Sequence, residues 1–314
     1  EITTEGEIGF DAAFFNSRVS LEATYFSRRT RDQLVNVPLA PSLGTGPDAP
    51  TRTQNVGTVD NKGLELLLNT SLIKLPSVGL DVTWNFSTLA NKVFTLRDDT
   101  PIIIGLGATQ RHTIGRPAGA YFQTPYSFAD ANNDGTIEID EVTVADDATS
   151  QFIGNPLPRR TLAVQPALTL GRSQQLRLQA TVDYRGGWFQ YNGTQAFRCG
   201  FGICPELSRQ GSSLADQARG IASVYYGTDF GYIERGDFAK LREVALTYQL
   251  PRALRIGRAS GAALTLAGRN LFIGSNYSGL DPEAFGSGQA NWSQFDFLSQ
   301  PPVRLFSARL TINY

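Results

Sequence analysis

The chain has 314 residues, 41% of them hydrophobic, enough for one large domain or two ordinary ones. Charged residues reach only 18%, which argues against disorder, and a formal net charge of -1 argues against general nucleic-acid binding. One His and two Cys nearly exclude Cys/His zinc sites and haem-like ligation. The 31 Gly, with 11 Tyr, 19 Phe and 3 Trp, point to β structure. No apolar run of about 18 residues is present, which excludes a spanning helix. It does not exclude a spanning barrel, whose signal is weak alternation in pieces of roughly 10 residues. Met is absent throughout, so the chain is expected to be processed or truncated.

Strands are predicted at 4–15, 18–30, 62–73, 79–91, 159–170, 175–187, 238–250, 261–271 and 304–314. Val19, Leu21, Ala23 and Tyr25 alternate with Ser20, Glu22 and Thr24. Leu80, Val82, Trp84 and Phe86 alternate with Asp81, Thr83, Asn85 and Ser87. The same holds for Leu176 to Tyr184, Val244 to Leu250 and Phe306 to Tyr314. Period two sets each series on one face of a sheet, with the polar series wet.

A soluble antiparallel sandwich would also fit this alternation. The connections separate the two. They run short (16–17, 74–78, 171–174, 251–260) and long (31–61, 92–158, 188–237, 272–303) in strict turn. Tight periplasmic turns and long external loops are the habit of outer-membrane barrels. The last strand closes on aromatic Tyr314, which resembles the assembly signal of such proteins. Bacterial barrels have even strand numbers and periplasmic termini, so about nine strands with the first running downward imply the C-terminal part of a larger barrel.

The loop 92–158 carries DANNDGTIEIDE, Asp130 to Glu141, which matches the twelve-residue calcium loop. Asp130, Asn132 and Asp134 offer side-chain oxygens, Thr136 a backbone carbonyl, Glu138 a water-mediated contact and Glu141 two oxygens. Its flanks do not read as a helix pair. A structural Ca²⁺ and a plain acidic turn both remain open. The loop 188–237 holds Cys199 and Cys204, and a local disulfide fits an external, oxidising loop. His112 is the single histidine, and no Gly-x-Ser-x-Gly elbow accompanies it, so an enzyme is not expected. Among loop aromatics, Trp188, Tyr191, Tyr277 and Trp292 are candidates for stacking on substrate, with loop packing as the alternative.

NVGTVDNKGLEL at Asn55–Leu66 resembles the strand entry of TonB-dependent receptors. GRPAGAYF (115–122), IGNPLPR (153–159), GDFAKLREVALTYQLP (236–251), AGRNLF (267–272) and YSGLDPE (277–283) are similar to the SusC/RagA branch. The resemblance implies an all-β, antiparallel transmembrane barrel of about 22 strands, of which 1–314 would be the C-terminal portion of about nine. It further implies a plug and a TonB box, neither of which is seen in this sequence. Its partners would be a SusD-like surface lipoprotein and the TonB complex, and its cargo a glycan or peptide. The expected role is therefore that of a nutrient importer in the bacterial outer membrane. A soluble β-rich module binding carbohydrate, or mediating adhesion, with calcium is the alternative.

Overall fold

The computed structural model describes residues 1–38, 51–55, 57–96, 99–104, 106–145, 150–172, 174–208, 211–251, 261–284 and 294–313. Nine strands form its main sheet: β1 (Ile2–Phe14), β2 (Val19–Arg31), β3 (Gly57–Lys74), β4 (Val78–Leu96) and β5 (Arg160–Leu170). The others are β6 (Leu176–Gly186), β7 (Phe238–Gln249), β8 (Gly261–Ser275) and β9 (Leu305–Asn313). Each strand pairs antiparallel with its chain neighbour, so the order is β1 through β9 without a crossover. All nine predicted strands are present, and the short and long connections alternate as expected. Among the described residues β1 and β9 are edges, and the barrel is not closed. Tyr314 lies outside the described residues.

Three strands run further than alternation alone predicts. β3 begins at Gly57, β4 reaches Leu96 and β8 reaches Ser275. Polar pairs hold part of the added length. Both oxygens of Asp60 accept from Arg29 at 2.6 Å, and Asn91 Nδ2 donates to Asn61 Oδ1 at 2.6 Å. The glycine of the Asn-Lys-Gly motif also has a structural reason. Gly63 lies opposite Phe26, and a Cβ there would sit 2.5 Å from the ring and 2.2 Å from the Thr88 carbonyl.

Register assembles two unlike faces. Leu66, Phe86, Leu162 and Tyr184 form one row across four strands, and Leu178, Leu246 and Leu266 another. These belong to the apolar face. Among the described residues nothing covers it: Phe10 is 59% exposed, Leu266 48% and Leu310 55%. Asp81, Asn85, Arg177, Asp183 and Arg309 fall on the opposite, polar face. A bulge in β7 shifts register between Leu241 and Glu243. It puts Lys240, Arg242 and Glu243 together on the polar side.

The packed core sits in the long connections and at the strand ends that enter them, where Val59, Val93 and Leu96 pack with Ile102 and Ile104. A four-stranded sheet of Ile102–Ile104, Gln110–His112, Ala120–Gln123 and Gln151–Gly154 lies there. Phe189–Asn192 pairs antiparallel with Ile233–Arg235 and parallel with Phe295–Asp296. Three helices accompany these strands: α1 (Gly193–Gly200), α2 (Pro205–Ser208) and α3 (Leu214–Tyr226). The strand reading of the sequence did not include them. In α3, Ser213 Oγ accepts from Asp216 N, Gly227 adopts φ +68° at the C-cap, and Ala218, Ile221 and Ala222 are buried at helical spacing. That face packs on Ile137 and Val142.

Candidate functional site

Where the polar face meets the loops, two of the sequence motifs come together. Lys240 of β7 is buried and donates to both oxygens of Asp281 at 2.7 Å and to Glu283 at 2.5 Å. Arg242 donates to both oxygens of Glu283, at 2.6 and 2.7 Å, and also to Asp183 of β6. Arg185 completes the set at 3.2 Å from Glu283. Burial alone would raise the Glu283 pKa, but the Arg242 and Lys240 hydrogen bonds outweigh it and hold the carboxyl at about 2. Asp-Pro-Glu is thereby clamped onto the sheet wall. Breaking a buried pair leaves a stranded charge, so the clamp is a stiff anchor. The sequence marks its bulge, because apolar positions slip from Leu241 to Val244 rather than continuing in twos.

A layer of tyrosines and carboxylates lies above it. Tyr191 donates to Asp229 at 2.6 Å, and Tyr277 donates to Asp296 at 3.0 Å. Tyr121 donates to the Gln294 carbonyl and is fully buried. Burial, first of all, pushes Tyr121, Tyr191 and Tyr277 well above the usual phenol range, so their hydroxyls stay protonated donors. Burial also raises the carboxyl of Asp296, against the hydrogen bonds from Tyr277 and Thr194.

The four stacking candidates are therefore placed unequally. Trp188 is 2% exposed and lies over Gly236, where a Cβ would come within 2.5 Å of the indole. Tyr277 is buried too, and packing accounts for both rings. Tyr191 is buried but borders a cavity of about 350 Å³ with Gly107, Ala196, Phe197, Asp229 and Phe297. Trp292 lies outside the described residues.

The acidic loop folds on itself between strands rather than helices. Tyr126–Phe128 and Val142–Val144 pair antiparallel on either side of it. Asp130 accepts from Asp134 N at 3.2 Å and Gly135 N at 3.0 Å, and Asn132 Oδ1 accepts from Asp134 N at 3.0 Å. Asp134 accepts from Thr136 N at 2.8 Å. Glu141 accepts from Ala131 N at 2.7 Å and Glu138 N at 3.0 Å. Gly135 has φ +81°, the sharp turn such a loop needs. Ile137 is fully buried, with its N–H on Gln217 Oε1 at 2.9 Å. The oxygen donors thus stand on one short loop anchored from below by α3, a donor set suited to a hard cation.

Cys199 and Cys204 form a disulfide between α1 and α2, with Cα atoms 4.8 Å apart. The neighbouring Glu206 accepts from Gln195 and Arg219 at 2.9 Å each. Joined sulfurs offer no thiolate, so this cluster is no metal site. His112 is buried and accepts from Gly119 N at 3.2 Å through Nδ1. Burial lowers its pKa to about 4, so the ring is neutral. That environment suits a loop-packing residue.

Residues 1–271 match the family model described as TonB dependent receptor-like, beta-barrel. TonB-dependent receptor P3 of Formosa agariphila is 24% identical over 100% of this chain and 34% of the relative. TonB-dependent receptor SusC of Bacteroides thetaiotaomicron is 24% identical over 93% of this chain and 30% of the relative. A solved structure of the RagAB peptide transporter superposes with TM-score 0.77 at 20% identity, covering 99% of this chain and 35% of that one. The chain thus spans about a third of the length of these relatives. With the barrel model matched over most of its length and the same sheet in the solved relative, the chain belongs to the TonB-dependent receptor β-barrel family.

Proposed function

We propose that this chain forms part of an outer-membrane receptor that imports a bulky nutrient, glycan or peptide, with energy from a TonB complex. The observation that carries this is the nine-stranded meander with one uncovered apolar face and one polar, charge-lined face. Lipid would cover the first and the solute path would follow the second. In this reading the loops form the extracellular cap, and a SusD-like surface lipoprotein sits over them. The names of the relatives support this reading, a TonB-dependent receptor for SusC and a peptide transporter for RagAB. The chain's own part is binding and passage rather than bond chemistry. Tyr191, at the edge of the cap cavity, is the aromatic best set to touch solute.

Ca²⁺ is the proposed structural ion of the cap, held by Asp130, Asn132, Asp134, the Thr136 carbonyl, Glu138 through water and Glu141. It would hold the loop closed and take no part in transport chemistry.

The test uses the complete receptor in cells, with labelled oligosaccharides and peptides. Accumulation should fall to background when TonB is deleted, and the lipoprotein should copurify with the receptor. Equal accumulation with and without TonB would overturn the reading.

A further inference from the structure

A cavity of about 240 Å³ opens on the polar face at the ends of β4 and β5, and neither the clamp residues nor Tyr191 line it. Leu89, Asn91, Arg116, Phe152, Asn155 and Arg159 line it. By register Leu89 and Asn91 point to the polar side, opposite Gly63 and Asn61. The roof is a fixed turn. Gly115 N donates to the Val93 carbonyl and Val93 N to the Arg116 carbonyl, each at 2.8 Å. Ala118 N donates to Asn91 Oδ1 at 2.7 Å. Backbone bonds to Leu89 and Gly186, each 3.0 Å, hold Arg159 on the other side.

Two exposed arginines therefore border one small cavity. The Arg116 guanidinium lies 4.5 Å from the Phe152 ring centroid, a contact that aims it without neutralising it. Neither Arg116 nor Arg159 forms an ion pair among the described residues, as is also true of other exposed arginines of the sheet such as Arg28 and Arg177. Glu5, Glu7 and Glu65 line a separate cavity that shares Leu89, and Asp237, which accepts from Gly187 N at 2.8 Å, does not line this one. Planar guanidiniums match a carboxylate two oxygens at a time.

We propose that this cavity is an anion subsite taking a carboxylate of the imported solute. The assignment rests on the import reading above and narrows it to acidic cargo. A peptide C-terminus and a uronic acid carry the same group, and the experiment distinguishes them.

The complete receptor is compared with R116Q/R159Q, both checked for heat-modifiable migration as a sign of a closed barrel. Four probes are used: tetra-alanine, its C-terminal amide, tri-galacturonate and its methyl ester. For whichever backbone is bound, the acid form should bind more tightly than its neutral form. The double variant should weaken the acid form roughly tenfold to a hundredfold and leave the neutral form unchanged. Equal binding of acid and neutral forms to the native receptor overturns the subsite. So does equal weakening of both by the variant.

A second measurement is independent of cargo. Succinate should slow phenylglyoxal modification of Arg116 and Arg159, read by mass spectrometry, while chloride at equal ionic strength should not. Absence of this protection also overturns the subsite. Loss of TonB-dependent accumulation for every probe, with succinate protection intact, counts against the import reading instead.

Discussion

In the sheet, Phe10, Leu178, Leu266 and Leu310 stand open on one face, and no layer of the described residues lies on them. In the loops at its end, Tyr121, Trp188, Tyr232 and Ile137 are sealed among strands and helices. Both regions are rich in apolar side chains, yet only the second has built a core from its own chain. The difference fits the two solvents of the proposed receptor. A row of leucines held open by register suits hydrocarbon, where no second layer is required. Water drives the loops to fold as a small globular body would, with caps, a disulfide and buried hydrogen-bonded tyrosines.

Substitutions should respect that division, and each offers a way to break it. The largest effect is expected in the cap. Trp188→Ala removes a fully packed indole and should cost the cap about 3–5 kcal/mol. Hydrogen exchange should speed up in 187–237, while heat-modifiable migration of the sheet is unchanged. Loss of both together would mean one core rather than two regions.

Next comes Leu178→Arg on the apolar face, expected to cost about 2–4 kcal/mol near mid-bilayer. Gln179→Arg, one residue away on the polar face, should cost far less. Equal shifts in urea unfolding from vesicles would remove the lipid-facing assignment. The smallest and most local effect is calcium removal. Chelation should raise exchange only in 126–144 and at the α3 face beneath Ile137, and Glu141→Gln should abolish any response to chelator. A receptor indifferent to calcium leaves the acidic loop as a plain turn.

The sheet was legible because a half-wetted strand imposes period two, and because connections of alternating length repeat its up-and-down course. Its ends were less legible. Pairs such as Asn61 with Asn91 extend β3 and β4 past the last clear alternation. The cap was harder because distant partners create it. Ile137 reads as a loop residue until Gln217, 80 positions away, takes its N–H. α3 is a different case: Ser213, the spacing of Ala218, Ile221 and Ala222, and Gly227 spell a helix locally. The clamp needed both halves, since nothing near Lys240 in sequence announces Asp281 and Glu283. Trp188 and Tyr277 show the limit of composition, because an aromatic in a polar loop reads the same whether it faces solute or the cap's own core.

The short strand Phe295–Asp296 has a bearing on biogenesis. It lies beside Phe189–Asn192, and Gln294 receives the Tyr121 hydroxyl from 173 positions earlier. Gln294 N in turn donates to Gln110 Oε1 across 184 positions. These are closures of very high sequence separation, the slowest kind to form. The closure onto Gln294 therefore forms only after β8 is laid down, although Gln110 already donates to the Gly119 carbonyl and Tyr121 already accepts from Tyr191 N. A chain that stalled before this closure would carry a formed sheet and an open set of loops, the part most exposed to proteolysis.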